Sequence, residues 1–353
     1  MENILPLTVG ELGGAAPRQW YELHIAHRAA DFPGFPVPSL EAFTAQCRGR
    51  AANRAWAAWE GERLLGAAAV ELFERDGRTW AVPQIDVRAE DRRRGIGTAL
   101  LRAVLAQVRA EGRAGTLVHE QLRIGGAGDR WARAVGFTEV LRNCWQLLPV
   151  AETDSALWRV PMPAGYRLEG WTNAAPVHLV TAFAAARNAI VDAPTGSSSY
   201  RPPEWTVERV RRAEAEARAA GDELRQLVAV HEASGEVAAL TGLLLRPERL
   251  ELCWQRDTAV ARAHRGLGLG RAVKAAMMRR LLAERPGLGR VITSTAADNA
   301  AMIRVNERLG YLRYAEIGVF EGDPARLDAA LGSRSIPGPR LAAAAHDCAV
   351  SGP

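Results

Sequence analysis

The chain repeats itself. Residues 87–108 read VRAEDRRRGIGTALLRAVLAQV and residues 260–281 read VARAHRGLGLGRAVKAAMMRRL; Arg92, Gly95 and Gly97 of the first each stand 173 positions before Arg265, Gly268 and Gly270 of the second. A constant offset predicts two copies of one folding unit, and 353 residues suit two domains of that size. In the first copy Leu101, Val104, Leu105 and Val108 fall on one helical face, and in the second Val273, Met277 and Leu281 do the same. The glycine motif therefore opens a helix in each half.

The surroundings repeat too. Residues 64–73 and 80–87 read as strands around a GRT turn, and residues 226–231, 237–245 and 250–260 read as strands with a turn at RPER. After each motif helix come a short strand (116–119, 291–295) and a helix that stops at Gly136-Phe137 or Gly310-Tyr311. This order predicts an α/β fold of two tandem domains, each a mixed, mostly antiparallel central sheet flanked by helices. The expected limits are 1–150, a linker at 151–163, 164–325, and a disordered tail at 326–353, with the halves packed as a monomeric pseudo-dimer. Residues 192–205, DAPTGSSSYRPPEW, read as a mobile lid or wall over the second domain's acceptor cleft, with Tyr200 and Trp205 as wall or anchor.

The charge balance narrows the partners. A net charge of +5 with dispersed bases suits an anionic small molecule and argues against nucleic acid. The longest apolar runs, such as residues 64–70, fall far short of the ~18 residues of a membrane helix. The opening MENILPLTVGELGG has no basic region leading into an apolar stretch, so a cytoplasmic protein without membrane contact is expected. Cys47, Cys144, Cys253 and Cys348 form no CxxC pair or zinc-like cluster, so neither disulfide nor metal is expected.

A strand, then R-x-x-G-x-G, then a helix puts unpartnered backbone amides at the positive end of a helix dipole. Glycines let a phosphate group approach the main chain, and Arg93 and Arg94, or Arg265 and Arg271, offer charge-assisted contacts. The pattern is no P-loop, which needs G-x-x-x-x-G-K-[ST]. Gly266, Gly268 and Gly270 are evenly spaced, unlike a Rossmann fingerprint.

These motifs, with Asn299-x-x-Met302-x-x-x-Asn306-x-x-Leu309-Gly310-Tyr311, resemble the GCN5-related N-acetyltransferase (GNAT) superfamily. The resemblance spans most of residues 1–325 as two copies and is similar to the actinobacterial tandem-domain group that includes mycothiol synthase. It implies acetyl-CoA or another acyl-CoA as co-substrate and no metal. Its pyrophosphate would lie on Arg265, Gly266, Leu267, Gly268, Leu269, Gly270 and Arg271, or on Arg92, Arg93, Arg94, Gly95, Ile96, Gly97 and Thr98. It also implies a strand splayed from its neighbour, so that a free amide near Val260 or Val87 receives the acyl carbonyl.

Acylating an amine needs a placed neutral amine, a polarised carbonyl and a proton for the thiolate. Many family members carry a tyrosine acid where this chain has Asn306 and Ala132, so either water as the acid or direct thiolate release takes its place. Asp257 and Glu251, on the strand before the second loop, are the candidate base or water holder; in the first half Asp86 and Glu71 are comparable candidates. Asp257 also reads as a partner of Arg256 or Arg262, and His264 as structural or phosphate-adjacent. Asn299 and Asn306, seven residues apart, project from one helical side toward the cofactor arm, although Asn299 also reads as a helix cap. The first half has GDRWARAVGF there and lacks both asparagines, which points to the C-terminal half for catalysis. The function expected is transfer of an acyl group from CoA to the primary amine of a small molecule. A protein or peptide acetyltransferase and a non-catalytic CoA-binding scaffold are the alternatives.

Overall fold

A computed structural model describes residues 3–6, 15–50, 54–75, 78–111, 116–189, 194–199, 204–247 and 251–332. The first repeat supplies β1 (Asn3–Pro6), α1 (Ala15–Asp31), α2 (Leu40–Arg50), β2 (Ala55–Glu60), β3 (Arg63–Arg75), β4 (Arg78–Val87), α3 (Ile96–Ala110), β5 (Thr116–Arg123), α4 (Ala127–Val135) and β6 (Thr138–Pro149). The second supplies β7 (Tyr166–Thr172), α5 (Val177–Arg187), α6 (Val207–Ala219), β8 (Glu223–His231), β9 (Val237–Leu245), β10 (Leu252–Val260), α7 (Leu269–Glu284), β11 (Arg290–Ala296), α8 (Ala300–Glu307), β12 (Leu312–Gly322) and α9 (Pro324–Gly332). The fold is α/β, with mixed sheet and flanking helices in both repeats, as the residue pattern predicts.

The chain divides into two compact units, residues 1–139 with 320–353, and residues 140–319. The first orders its strands β1-β2-β3-β4-β5 and the second β12-β6-β11-β10-β9-β8-β7. These limits differ from the 150 and 325 read from sequence. Strand β6 ends the first repeat but pairs antiparallel with β11, from Asn143 opposite Ala296 to Pro149 opposite Arg290. Conversely, Phe320, Leu327 and Leu331 are buried with Leu100, Leu101 and Val104 of the first unit. Residues 324–332 are therefore a packed helix, where a tail was expected from 326; residues 333–353 lie outside the described residues.

The expected linker is also structured. Residues 150–152 and 155–158 form short 3-10 turns, and the Thr153 hydroxyl donates to the Pro149 carbonyl at 2.7 Å. Trp158 is buried among Leu148, Met277 and Leu309, and its indole donates to the Leu309 carbonyl at 3.0 Å. An aromatic ring buried this way fastens the segment to the second unit.

The two motif helices bury the stripes their spacing predicts. Leu101, Val104, Leu105 and Val108 of α3 and Val273, Met277 and Leu281 of α7 are all buried. Each contributes about 1.5–3 kcal/mol by leaving water. Gly136 and Gly310 end α4 and α8 with φ of 108° and 95°, the left-handed stop expected of them. Cys47, Cys144 and Cys253 are buried; Cys348 lies outside the described residues.

A lysine lies in the core of the second unit. Lys274 of α7 is 1% exposed, with its amine 5.0 Å from the Tyr311 ring, and burial pulls its pKa down to about 7. The unfolded chain restores the ordinary 10.5, so it binds more protons than the folded chain above pH 7. Stability then rises with pH from this group, by up to about 1.4 kcal/mol per unit. Burial pushes the Cys253 thiol from 9.0 up to about 12, which gives the opposite slope above pH 9. Thermal melts between pH 7 and 9 should therefore show a rising midpoint that Lys274→Met flattens, with the variant more stable at pH 7. A slope unchanged in the variant would refute the assignment.

Candidate active site

The two glycine loops share one backbone. Residues 89–91 and 262–264 form a 3-10 turn, Arg93 and Gly266 have φ of 68° and 82°, and Gly95 and Gly268 have φ of 88° and 81°. The first helical hydrogen bonds run from Ala99 to the Gly95 carbonyl (2.9 Å) and from Ala272 to the Gly268 carbonyl (3.0 Å). Amides before them have no helical carbonyl to bond, so they present donors at a positive dipole end. The motif arginines act locally. Arg92 Nε donates to the Val87 carbonyl at 3.3 Å, and Arg265 Nε to the Val260 carbonyl at 3.1 Å. Each fastens the loop to the strand that precedes it.

The second loop has room above two of its glycines. No atom lies within 4 Å of where a Cβ would stand on Gly266 or Gly268, and the Arg271 Nε beside them is buried without a hydrogen-bond partner. A loop with room above its amides and an uncommitted guanidinium nitrogen fits a pyrophosphate. In the first loop, a Cβ on Gly97 would stand 3.3 Å from the Trp131 indole nitrogen, and Arg94 is paired with Asp91 (2.6 Å) and Glu60 (3.0 Å). Arg93 is exposed, whereas Ile96 and Thr98 are buried.

Both strands splay ahead of their loops. Strand β10 pairs in parallel with β11 from Leu252 to Gln255 and no further, and β4 pairs with β5 only at Trp80 and Ala81. Ala261 N–H bonds the Ala238 carbonyl on β9, and Arg88 N–H bonds the Leu65 carbonyl on β3. Successive strand amides point to opposite edges, so the amides of Val260 and Val87 face the splay. Strand β10 also carries a register shift between Gln255 and Thr258, absent from the continuous β3–β4 ladder. Such a bulge re-aims the residues it contains, Arg256 and Asp257.

Asp257 accepts from Arg187 at 2.6 Å, and the Arg187 guanidinium lies 3.3 Å from the Trp205 ring centre. Its partner is thus Arg187 of α5, not Arg256 or Arg262. Burial lowers the Arg187 pKa, and the Asp257 charge opposes that. Glu251 is exposed just before β10, nine residues from Val260 and therefore about 30 Å from the loop end at ~3.3 Å per residue. The strand does not bring Glu251 to the loop. Asn299 caps α8 by accepting from Met302 N–H at 3.1 Å. Asn306 is wholly buried, donating to Gln146 at 2.8 Å and Thr295 at 3.3 Å, so it presents no surface to a ligand.

Of the loop at 192–205, residues 194–199, 204 and 205 are described, and Tyr200 lies outside. Ser197 N–H bonds the Val140 carbonyl at 2.8 Å, and Asn188 clamps the Trp205 backbone at 2.8 and 3.1 Å. Trp205 thereby anchors the loop's end. His264 is buried and bonded to Tyr166 at 2.7 Å, a structural role beside the loop.

Sequence reading missed a polar set under α7: Gln255 Nε2 donates to Thr241 at 2.9 Å and to the Gly242 carbonyl at 2.7 Å, and Thr241 contacts Thr258 at 2.8 Å. It also missed His24, which lies 3.5 Å from Asp86. The signal was present in the four-residue spacing of Trp20 and His24, but a helix face has meaning only once its partner strand is known.

Among the described residues no cluster of His, Cys, Asp or Glu is arranged to hold a metal, and no helix is long and apolar enough to cross a membrane. A comparison with curated protein sequences returns no match. A tandem GNAT protein from the clavulanic acid biosynthesis pathway has a similar structure, at 25% identity and a TM-score of 0.71, over 92% of this chain and 99% of that one. The GCN5-related N-acetyltransferase from Sphaerobacter thermophilus shares the fold at 18% identity and a TM-score of 0.69, over 92% and 96% of the two chains. The sequence model of the acetyltransferase (GNAT) family matches twice, at residues 20–121 and 192–311, one match in each repeat. With both glycine loops, both splays and two family matches in place, this chain belongs to the GNAT acetyltransferase family and is an N-acetyltransferase of tandem type.

Proposed function

We propose that the protein transfers an acyl group, acetyl in the first instance, from CoA to the primary amine of a small molecule, and that the C-terminal unit carries this reaction. The observation that carries the reading is the second loop: two glycines at positive φ with open space above them, at a helix N-terminus, beside an amide that faces a splayed strand. The modest positive charge suits an anionic co-substrate. The tandem layout supports kinship with the group that includes mycothiol synthase.

In this reading the loop amides and Arg271 hold the pyrophosphate, and the Val260 amide polarises the acyl carbonyl. The amine nitrogen attacks the carbonyl carbon, the C–N bond forms, the C–S bond breaks, and the amine's proton leaves to water. Asp257, fixed by Arg187 at 2.6 Å, orients the amine and keeps a negative charge near the developing cation. The thiolate takes its proton from water, since Asn306 is buried and has no acidic proton.

The test is CoA thiol release from acetyl-CoA across amino sugars, amino acids and polyamines. Amine-dependent release is expected. Tight acetyl-CoA binding with no release for any amine would favour the scaffold reading.

A further inference from the structure

Helix α1 of the first unit turns Trp20, His24, His27 and Asp31 toward one side, at successive spacings of four, three and four residues. That side meets Asp86 of β4. Asp86 Oδ2 accepts from the Trp20 indole at 3.1 Å and the Gln84 amide at 2.9 Å, and lies 3.5 Å from His24 Nδ1. Burial alone would raise the Asp86 carboxyl, yet His24, His27 and Gln84 together hold it well below the usual carboxylate range. The carboxylate is 4% exposed, whereas the His24 side chain is 20% exposed. His24 Nδ1 thus faces the buried carboxylate at 3.5 Å and the Gln84 amide at 3.3 Å, and the two together fix the orientation of the imidazole. His24 Nε2, the far nitrogen, has no hydrogen-bond partner among the described residues.

The position in the fold suits this pair to proton transfer. Asp86 lies five residues beyond Ala81, where β4 leaves β5, and one before Val87, whose amide faces the splay. Its side chain faces α1, opposite the face where Ile96 and Leu100 of α3 approach Gly66 beside Val87. The loop Arg92 reaches back to the same helix, with its guanidinium 3.4 Å from His27 Nδ1. The equivalent of Asp86 in the second unit, 173 residues on, is Ala259, packed in an apolar cluster. The dyad is therefore absent from the glycine-loop site that the sequence favours.

We propose that the first unit is an acyl-transfer centre of its own, in which His24, positioned by Asp86, is the general base for a primary amine attacking an acyl-CoA thioester at the splay of β4 and β5. The proposal rests on the acyltransferase reading above. The amine nitrogen bonds to the carbonyl carbon and passes a proton to His24 Nε2. The C–S bond breaks, and the thiolate is protonated by water or by the imidazolium, which restores neutral His24. The polar groups against His24 are Asp86 and Gln84 on β4; His27, next on α1, meets Asp31 and the loop Arg92, and α2 presents the apolar Phe43 ring at 5.0 Å.

The experiment uses the full chain carrying Gly268→Glu, which disables the second loop, with glucosamine, lysine and spermidine as amines. Amine-dependent thiol release should persist, and adding His24→Gln should lower kcat at least 100-fold with acetyl-CoA affinity unchanged. Asp86→Asn should lower kcat with the KM for acetyl-CoA unchanged, a split that a purely structural anchor would not give. Acetyl-CoA should also protect His24 from carbethoxylation, a readout that needs no acceptor. Release that survives His24→Gln overturns the proposal and leaves the acyltransferase reading standing, as does a silent Gly268→Glu chain beside an active unsubstituted one. No release from the unsubstituted chain overturns both.

Discussion

Gly268→Glu should lower acetyl-CoA affinity at the second loop by at least tenfold. Gly268 has φ of 81° and open space where its Cβ would be, so the new Cβ meets no protein atom and the side chain enters the space proposed for the pyrophosphate. The fold survives, because a non-glycine residue at positive φ costs about 1–2 kcal/mol. The first repeat shows a neighbouring case, since Arg93 stands at φ 68° where the second has Gly266. The loss at the ligand is larger. Charge-assisted hydrogen bonds contribute about 1.5–3 kcal/mol each, and a carboxylate repels the phosphates that several amides would hold. Calorimetry on the variant, in a background where Gly95→Glu disables the first loop, isolates the effect. Unchanged affinity there would sink the pyrophosphate assignment.

Trp158→Ala should cost the second unit about 3–5 kcal/mol, the usual loss for a buried aromatic cut back to a methyl. The ring is 3% exposed among Leu148, Met277 and Leu309, and its loss leaves the Leu309 carbonyl without the donor it has at 3.0 Å. A residue on a loose tether would change stability by less than about 0.5 kcal/mol. The shift of the urea midpoint measures the difference, with unit-specific probes because two units need not unfold together. A shift near zero would return residues 151–163 to the role of linker.

The local chemistry of this chain was legible from its residues. The stripes of α3 and α7, the left-handed stops at Gly136 and Gly310, and the loops with glycines at positive φ all follow from period and backbone sterics. Those effects act over a few residues, so the order of residues determines them. The duplication carried the same information twice and settled the fold class.

Long-range pairing was decided by the tertiary structure. Strand β6 is first-repeat sequence, yet it hydrogen-bonds to β11, and α9 packs on α3. A strand's alternation specifies a buried face and leaves open which edge it joins, so the unit limits could not be read from spacing. The candidate site divides the same way. The glycine loops come from contiguous residues, but the candidate acid–base groups depend on which helix covers which strand. Asp257 was legible as a carboxylate on β10; that it belongs to Arg187, 70 residues away, was not. Likewise His24 and Asp86 are 62 residues apart in the sequence and become a pair only when α1 lies across β4, because a proton relay needs contact, and contact is set by packing.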